Sequence, residues 1–247
     1  MVFTGVPEGR EHAERRCFGA DTVMTKFILL PAFLLFFVYH VNGFNVPESF
    51  IHKTDSLFNC SDEEPKTYVD VFRNDTDNRV YYASTTEILE YNIDTLRNHL
   101  TDVSRYNQYF KFIAKSELIE NYKSDLKRDV YFCVATASFA KALFIGSIDS
   151  VTTQENGDVT IFFNKYHDEA LNREFYENER GILKVQFHEF NMFFTLRKIE
   201  ENKTKVLLTS VVSPKIWIPN WLFRMVANFL FPGILSNLDD WLKDNYE

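Results

Sequence analysis

WIPNWLFRMVANFLFPGILSNLDDW, residues Trp217–Trp241, is the stretch on which the fold turns. Leu222, Met225, Val226, Phe229 and Leu230 recur at the spacing of one helical face. The pair Pro232-Gly233 should break or kink that helix, because proline lacks an N–H and clashes with the preceding turn. Ile234, Leu235, Leu238, Trp241 and Leu242 then resume the stripe. This tail reads as a helix that packs on a core and also closes a cavity. A membrane-surface role is less favoured, since the segment has one Arg and one Lys rather than a basic face.

Upstream of the tail the apolar period is two. Arg79–Leu89 is rich in β-formers and reads as a strand. Asn92 then serves as a helix N-cap, with Asp94 adding favourable charge in the first turn. Ile93, Leu96, His99 and Leu100 follow at helical spacing up to Thr101-Asp102, and Val103–Phe110 forms a second short turn or helix. Lys111–Asn121, Val130–Phe139, Leu143–Thr153, Val159–Asn164, Leu183–Phe190, Met192–Ile199 and Lys205–Val212 all read as strands. Short connections make them antiparallel neighbours. Asn156-Gly157 predicts a type I′ hairpin turn, which needs positive φ at both central residues. The polar gap Tyr166–Arg180 reads as a loop.

Lys26 precedes a run of thirteen mostly apolar residues, Phe27–Tyr39, and Val41-Asn42-Gly43 follows as a cleavage site. That run fits a signal peptide and falls short of the ~20 residues that span a bilayer. Residues 1–43 are therefore expected to be a signal peptide, with Met24 a plausible start, or else an anchor through residues 27–41. The expected location is secreted, periplasmic or lumenal. Residues 44–78 read as a polar leader with one short strand at Tyr68–Phe72, and 79–247 as the folded domain. Beyond the leader, Cys60 and Cys133 could close one disulfide in an exported chain, although a buried thiol is the commoner outcome inside a strand. Three sequons, at Asn59, Asn74 and Asn202, are close to the chance expectation for this composition.

The net charge of −8 speaks against nucleic acid, which needs a basic surface. The 25 phenylalanines are ample for a core. Beyond residue 43 the glycines are Gly146, Gly157, Gly181 and Gly233, and none belongs to a phosphate loop or dinucleotide fingerprint. No Gly-x-Ser-x-Gly elbow occurs. His188-Glu189 lacks the second histidine of the helical zinc motif, and His167-Asp168-Glu169 reads as a solvated loop. Asp239-Asp240 reads as a solvated helix face. No catalytic residue, metal or cofactor is expected.

Three stretches carry a resemblance. Glu90–Ile93 through Leu100-Thr101-Asp102-Val103-Ser104-Arg105-Tyr106 resembles a strand exit, short helix and L-T-D-x-x-x-Y turn. Asn156-Gly157 is a mid-sheet hairpin. Ser213-Pro214 through Ile218-Pro219-Asn220-Trp221-Leu222 resembles the lead-in to a last helix. Together with the order of elements they resemble the START-like superfamily of lipid-transfer and polyketide-cyclase-type proteins, over residues 79–247. The resemblance implies an α+β helix-grip fold. A curved antiparallel sheet would wrap around a long C-terminal helix, with two short helices after the first strand. It also implies a cavity for a hydrophobic ligand.

Strand alternation leaves the inward phase open, since Val130–Phe139 carries apolar or small residues on both faces, and Phe132, Phe144, Phe162, Phe194 and Val211 are chosen as the concave, ligand-facing side chains. Trp221, Met225 and Phe229 would close the cavity, and Arg173 and Arg180 are candidates for holding an anionic head group. The expected activity is an exported, non-enzymatic binder or carrier of a lipid or other apolar small molecule, with transient membrane contact as a further expectation. The alternatives are a cyclase- or hydrolase-type enzyme using the same cavity, and an interaction module whose cavity is filled.

Overall fold

The computed structural model describes residues 47–60, 66–73, 79–124, 127–137, 140–181 and 183–246. The expected signal or anchor segment lies outside them. The chain divides into two units, residues 1–62 and 63–247. Of the first, the described part is one helix, α1 (Glu48–Asn59), with Phe50, Ile51, Thr54 and Phe58 buried.

In the second unit β1 (Lys66–Arg73) and β2 (Arg79–Leu89) precede α2 (Ile93–Thr101), a short 3-10 turn (Val103–Arg105) and α3 (Tyr106–Tyr109). Next come β3 (Ile113–Lys123), β4 (Asp129–Ala137), β5 (Ala140–Thr153) and β6 (Val159–Lys165). The chain continues through α4 (Glu169–Asn178), β7 (Leu183–Val185), β8 (Phe187–Glu200), β9 (Lys203–Pro214) and α5 (Asn220–Tyr246). The sheet runs β1-β2-β9-β8-β6-β5-β4-β3, antiparallel throughout, with β7 added to β5 in parallel. Its helix-grip character is as expected. The short strand expected at Tyr68–Phe72 is β1, and by pairing with β2 it joins the sheet, so the two short helices follow the second strand rather than the first.

Local chemistry explains most of the boundaries. Asn92 caps α2, its Oδ1 accepting the Thr95 N–H at 2.8 Å. The Tyr106 hydroxyl donates to the Leu100 carbonyl at 2.6 Å and ties α3 back onto α2. The β5–β6 hairpin has the expected pairing, Thr153 opposite Val159, but its turn is not type I′. Only Gly157 has positive φ, at 85°, and the Gly157 N–H donates to the Gln154 carbonyl at 2.9 Å. Glu155-Asn156-Gly157 is thus a three-residue loop, a turn followed by a left-handed glycine.

The polar stretch 166–180 is not a loop. Asp168 caps α4 by accepting the Leu171 N–H at 2.9 Å. Leu171 is the buried residue of this helix, packing with Ile119, Val130, Phe132, Val134, Leu143 and Ile145 on the outer face of β3–β5. The strand expected over Leu183–Phe190 is interrupted at Gln186, which separates β7 from β8.

Helix α5 continues through Pro232 as one 27-residue element. Its second half is firmly seated, with Ile234, Leu235, Leu238 and Leu242 in the central core. Its end is clamped at His99. The His99 ring lies 3.0 Å from the Tyr109 hydroxyl through Nδ1 and 2.7 Å from the Tyr246 hydroxyl through Nε2. Trp241 packs edge-on against both His99 and Tyr109, and the Arg105 guanidinium lies 5.3 Å from the Trp241 ring centre.

Candidate functional site

Between α5 and the sheet lies a cavity of about 250 Å³. Its walls reach from Tyr81 on β2 to Ala135 on β4, strands that stand at nearly opposite ends of the sheet order. One space can touch both only because the sheet curls around α5. From β8, alternate residues Phe190, Met192 and Phe194 point inward, and from β9 Leu208, Ser210 and Val212 do so. The neighbours Ala135 and Ala142 keep the β4–β5 wall thin. Phe223, Val226, Ala227, Leu230, Phe231 and Ile234 of α5 form the opposite wall. Tyr106, Phe110 and Phe144 add to the lining.

The chemistry of this wall is uniform. It contains no Asp, Glu, Lys, Arg, His or Cys among the described residues. Most of its hydroxyls are engaged elsewhere: Tyr81 donates to the Ile218 carbonyl at 2.5 Å, Tyr106 to Leu100, and Thr136 to the Phe112 carbonyl at 3.4 Å. The nearby thiol of Cys133 is not part of the wall. It is wholly buried beside Ser116, at 3.3 Å, and burial pushes it up to about 12. Among the described residues no three His, Cys, Asp or Glu side chains cluster as metal ligands would. A separate surface recess, lined by Arg97, Arg128, Asp129 and Tyr131 among others, is open to solvent and mixed in polarity.

Two of the eight apolar residues read from the sequence, Phe144 and Phe194, line the cavity. Phe132 faces the other side of the sheet, its ring 4.8 Å from that of Phe175 on α4. Phe162 lies one residue out of phase with the inward Ile161 and Phe163, and stacks at 4.7 Å on Phe193. Val211 sits between the inward Ser210 and Val212. A one-residue slip in phase moves a strand side chain to the opposite face.

On α5, Trp221, Met225 and Phe229 are 68%, 57% and 81% exposed and share their face with Arg224 and Asn228. The inward row is the one through Phe223, Ala227 and Leu230. Arg224 holds Asp70 of β1 at 2.6 Å. Arg173 and Arg180 are exposed and do not border the cavity. The sequence reading did not single out Met192, Leu208, Ser210 or Ala227. Their signal was the phase set by Phe194, two residues from Met192 along the same strand.

No family model matches the chain, and no curated protein matches it by sequence. Among solved structures, the STAR-related lipid transfer protein (fragment 25-204) from Xanthomonas axonopodis superposes with a TM-score of 0.50 at 16% identity, covering 71% of this chain and 98% of that one. Human STARD10 gives a TM-score of 0.55 at 11% identity, covering 83% of each chain. Human StAR-related lipid transfer protein 5 gives 0.50 at 11% identity, covering 81% of this chain and 96% of its own. The chain has the START-like helix-grip fold.

Proposed function

We propose that this protein is a non-enzymatic binder or carrier of a lipid or another apolar small molecule, acting outside the cytosol. The observation that carries the reading is the cavity between α5 and the curled sheet, about 250 Å³ in volume and lined almost wholly by carbon. An apolar molecule gains by leaving water for such a wall, at about 25 cal/mol per Å² of surface buried. Acid–base or nucleophilic catalysis needs a titratable or nucleophilic group aimed at the reacting atoms. The described wall offers no carboxylate, imidazole, amine or thiol, which favours holding a ligand over transforming it. The bacterial structure and one of the two human structures are called lipid transfer proteins, which agrees with this reading. Export rests on the apolar run Phe27–Tyr39 and the small-residue site after it.

The test is native mass spectrometry of the full chain purified from its own host, followed by organic extraction. An apolar molecule bound one to one is expected. The filled variant Ala142→Phe should fold and lose that molecule, because the new ring enters the cavity. A wild-type protein that carries no apolar molecule and takes up none on titration would overturn the reading.

A further inference from the structure

Among the described residues, the cavity wall holds one hydroxyl that the fold does not use. Ser210 on β9 lines it, and the Ser210 hydroxyl has no side-chain or carbonyl partner among the described residues, unlike those of Tyr81, Tyr106 and Thr136. Strand pairing fixes Ser210 firmly, with Ala83 on one side and Met192 on the other. Across the space stand Phe223, Val226 and Ala227 of α5, which can make no hydrogen bond through their side chains. Size and charge narrow the ligand further. A dry cavity of about 150 Å³ takes one benzene, so about 250 Å³ takes roughly ten non-hydrogen atoms before α5 must move. An ionised group brought against this wall would lose its water and find no counter-ion.

From the free hydroxyl, the neutral wall and the limited volume, we infer that the ligand portion held inside the cavity is compact and uncharged. It carries a single oxygen function, a hydroxyl or a carbonyl, that bonds to Ser210. This deepens the binder reading and rests on it. A serine hydroxyl both donates and accepts, so it serves an alcohol and a ketone alike. Any charged part of a larger ligand remains outside the wall.

Three probes sharing one ring system test this on the full chain at pH 7: naphthalene, 2-naphthol and 2-naphthoate, titrated by calorimetry. Naphthalene and 2-naphthol are expected to bind, and 2-naphthoate at least tenfold more weakly than 2-naphthol. Ser210→Ala should weaken 2-naphthol about two- to tenfold, the worth of one neutral hydrogen bond, and leave naphthalene unchanged. That variant removes an unused hydroxyl and should keep the wild-type melting temperature, so a fall in binding is not misfolding. Equal or tighter binding of 2-naphthoate overturns the inference, as does an equal effect of Ser210→Ala on naphthalene and 2-naphthol. In both cases naphthalene still binds, and the binder reading survives. Failure of all three to bind wild type overturns the binder reading and the inference together.

Discussion

Two residues show how little slack the sheet leaves. Gly146 on β5 sits where a Cβ would fall within 3.0 Å of the Phe163 ring and the Asn164 carbonyl oxygen. Gly146→Ala should therefore destabilise the protein by about 1–3 kcal/mol through overpacking. An unchanged denaturant midpoint would show that Phe163 has room to move. Glu87 is the second case. Burial pushes its carboxyl up to about 7, Asp239 adds repulsion, and the Ser236 hydroxyl, 3.3 Å away, opposes the rise by donating to the carboxylate. Because the folded value exceeds the unfolded value of 4.5, the native state holds the proton more tightly. The stability this adds is fully present below pH 4.5 and lost as pH rises through about 7. Glu87→Gln should remove that slope and stabilise the protein at pH 8 by about 1–2 kcal/mol after solvent screening. Melting curves that run parallel for the two proteins from pH 4.5 to 8 would refute this.

Helix α5 differs along its length. Ala227 is the buried residue of its first half, whereas Ile234, Leu235, Leu238 and Leu242 are buried in its second. Leu235→Ala should cost about 2–5 kcal/mol, and Met225→Ala should stay within about 0.5 kcal/mol. Chemical denaturation of both variants checks this, and a large loss at Met225 would mean that the outward face is in fact packed. The sequence hid that distinction because apolar residues surround the first half of the helix, so periodicity alone could not choose a face. Strand phase was hidden in the same way. Phe162-Phe163, Phe193-Phe194 and Val211-Val212 are pairs of like residues, and either member would suit the inside. Asn92 and the Gly157 hairpin were legible because a cap and a left-handed turn each demand particular residue types. Helix α4 escaped notice because it rests on one capping aspartate and one buried leucine within a polar stretch.

At the scale of the whole molecule, the order of strands and helices identified the fold where sequence similarity did not. Structures sharing only 11–16% of their residues superpose on it. What those chains keep is a curled sheet with a long helix laid across it, and many apolar side-chain sets satisfy that geometry. The cost of the arrangement is imperfect filling, and this has a consequence under hydrostatic pressure. Unfolding lets water occupy the space that the side chains leave between α5 and the sheet, so the system contracts. With about 250 Å³ eliminated, the volume decrease should lie toward the upper end of the usual range, roughly 100 mL/mol. Tryptophan fluorescence under pressure should show a midpoint that moves upward when an apolar guest is bound. Ala142→Phe, by occupying the same space permanently, should shrink the volume change even without a guest. If wild type and Ala142→Phe compress and unfold alike, the space between helix and sheet closes up in solution, and the molecule is as dense as a protein with no ligand to hold.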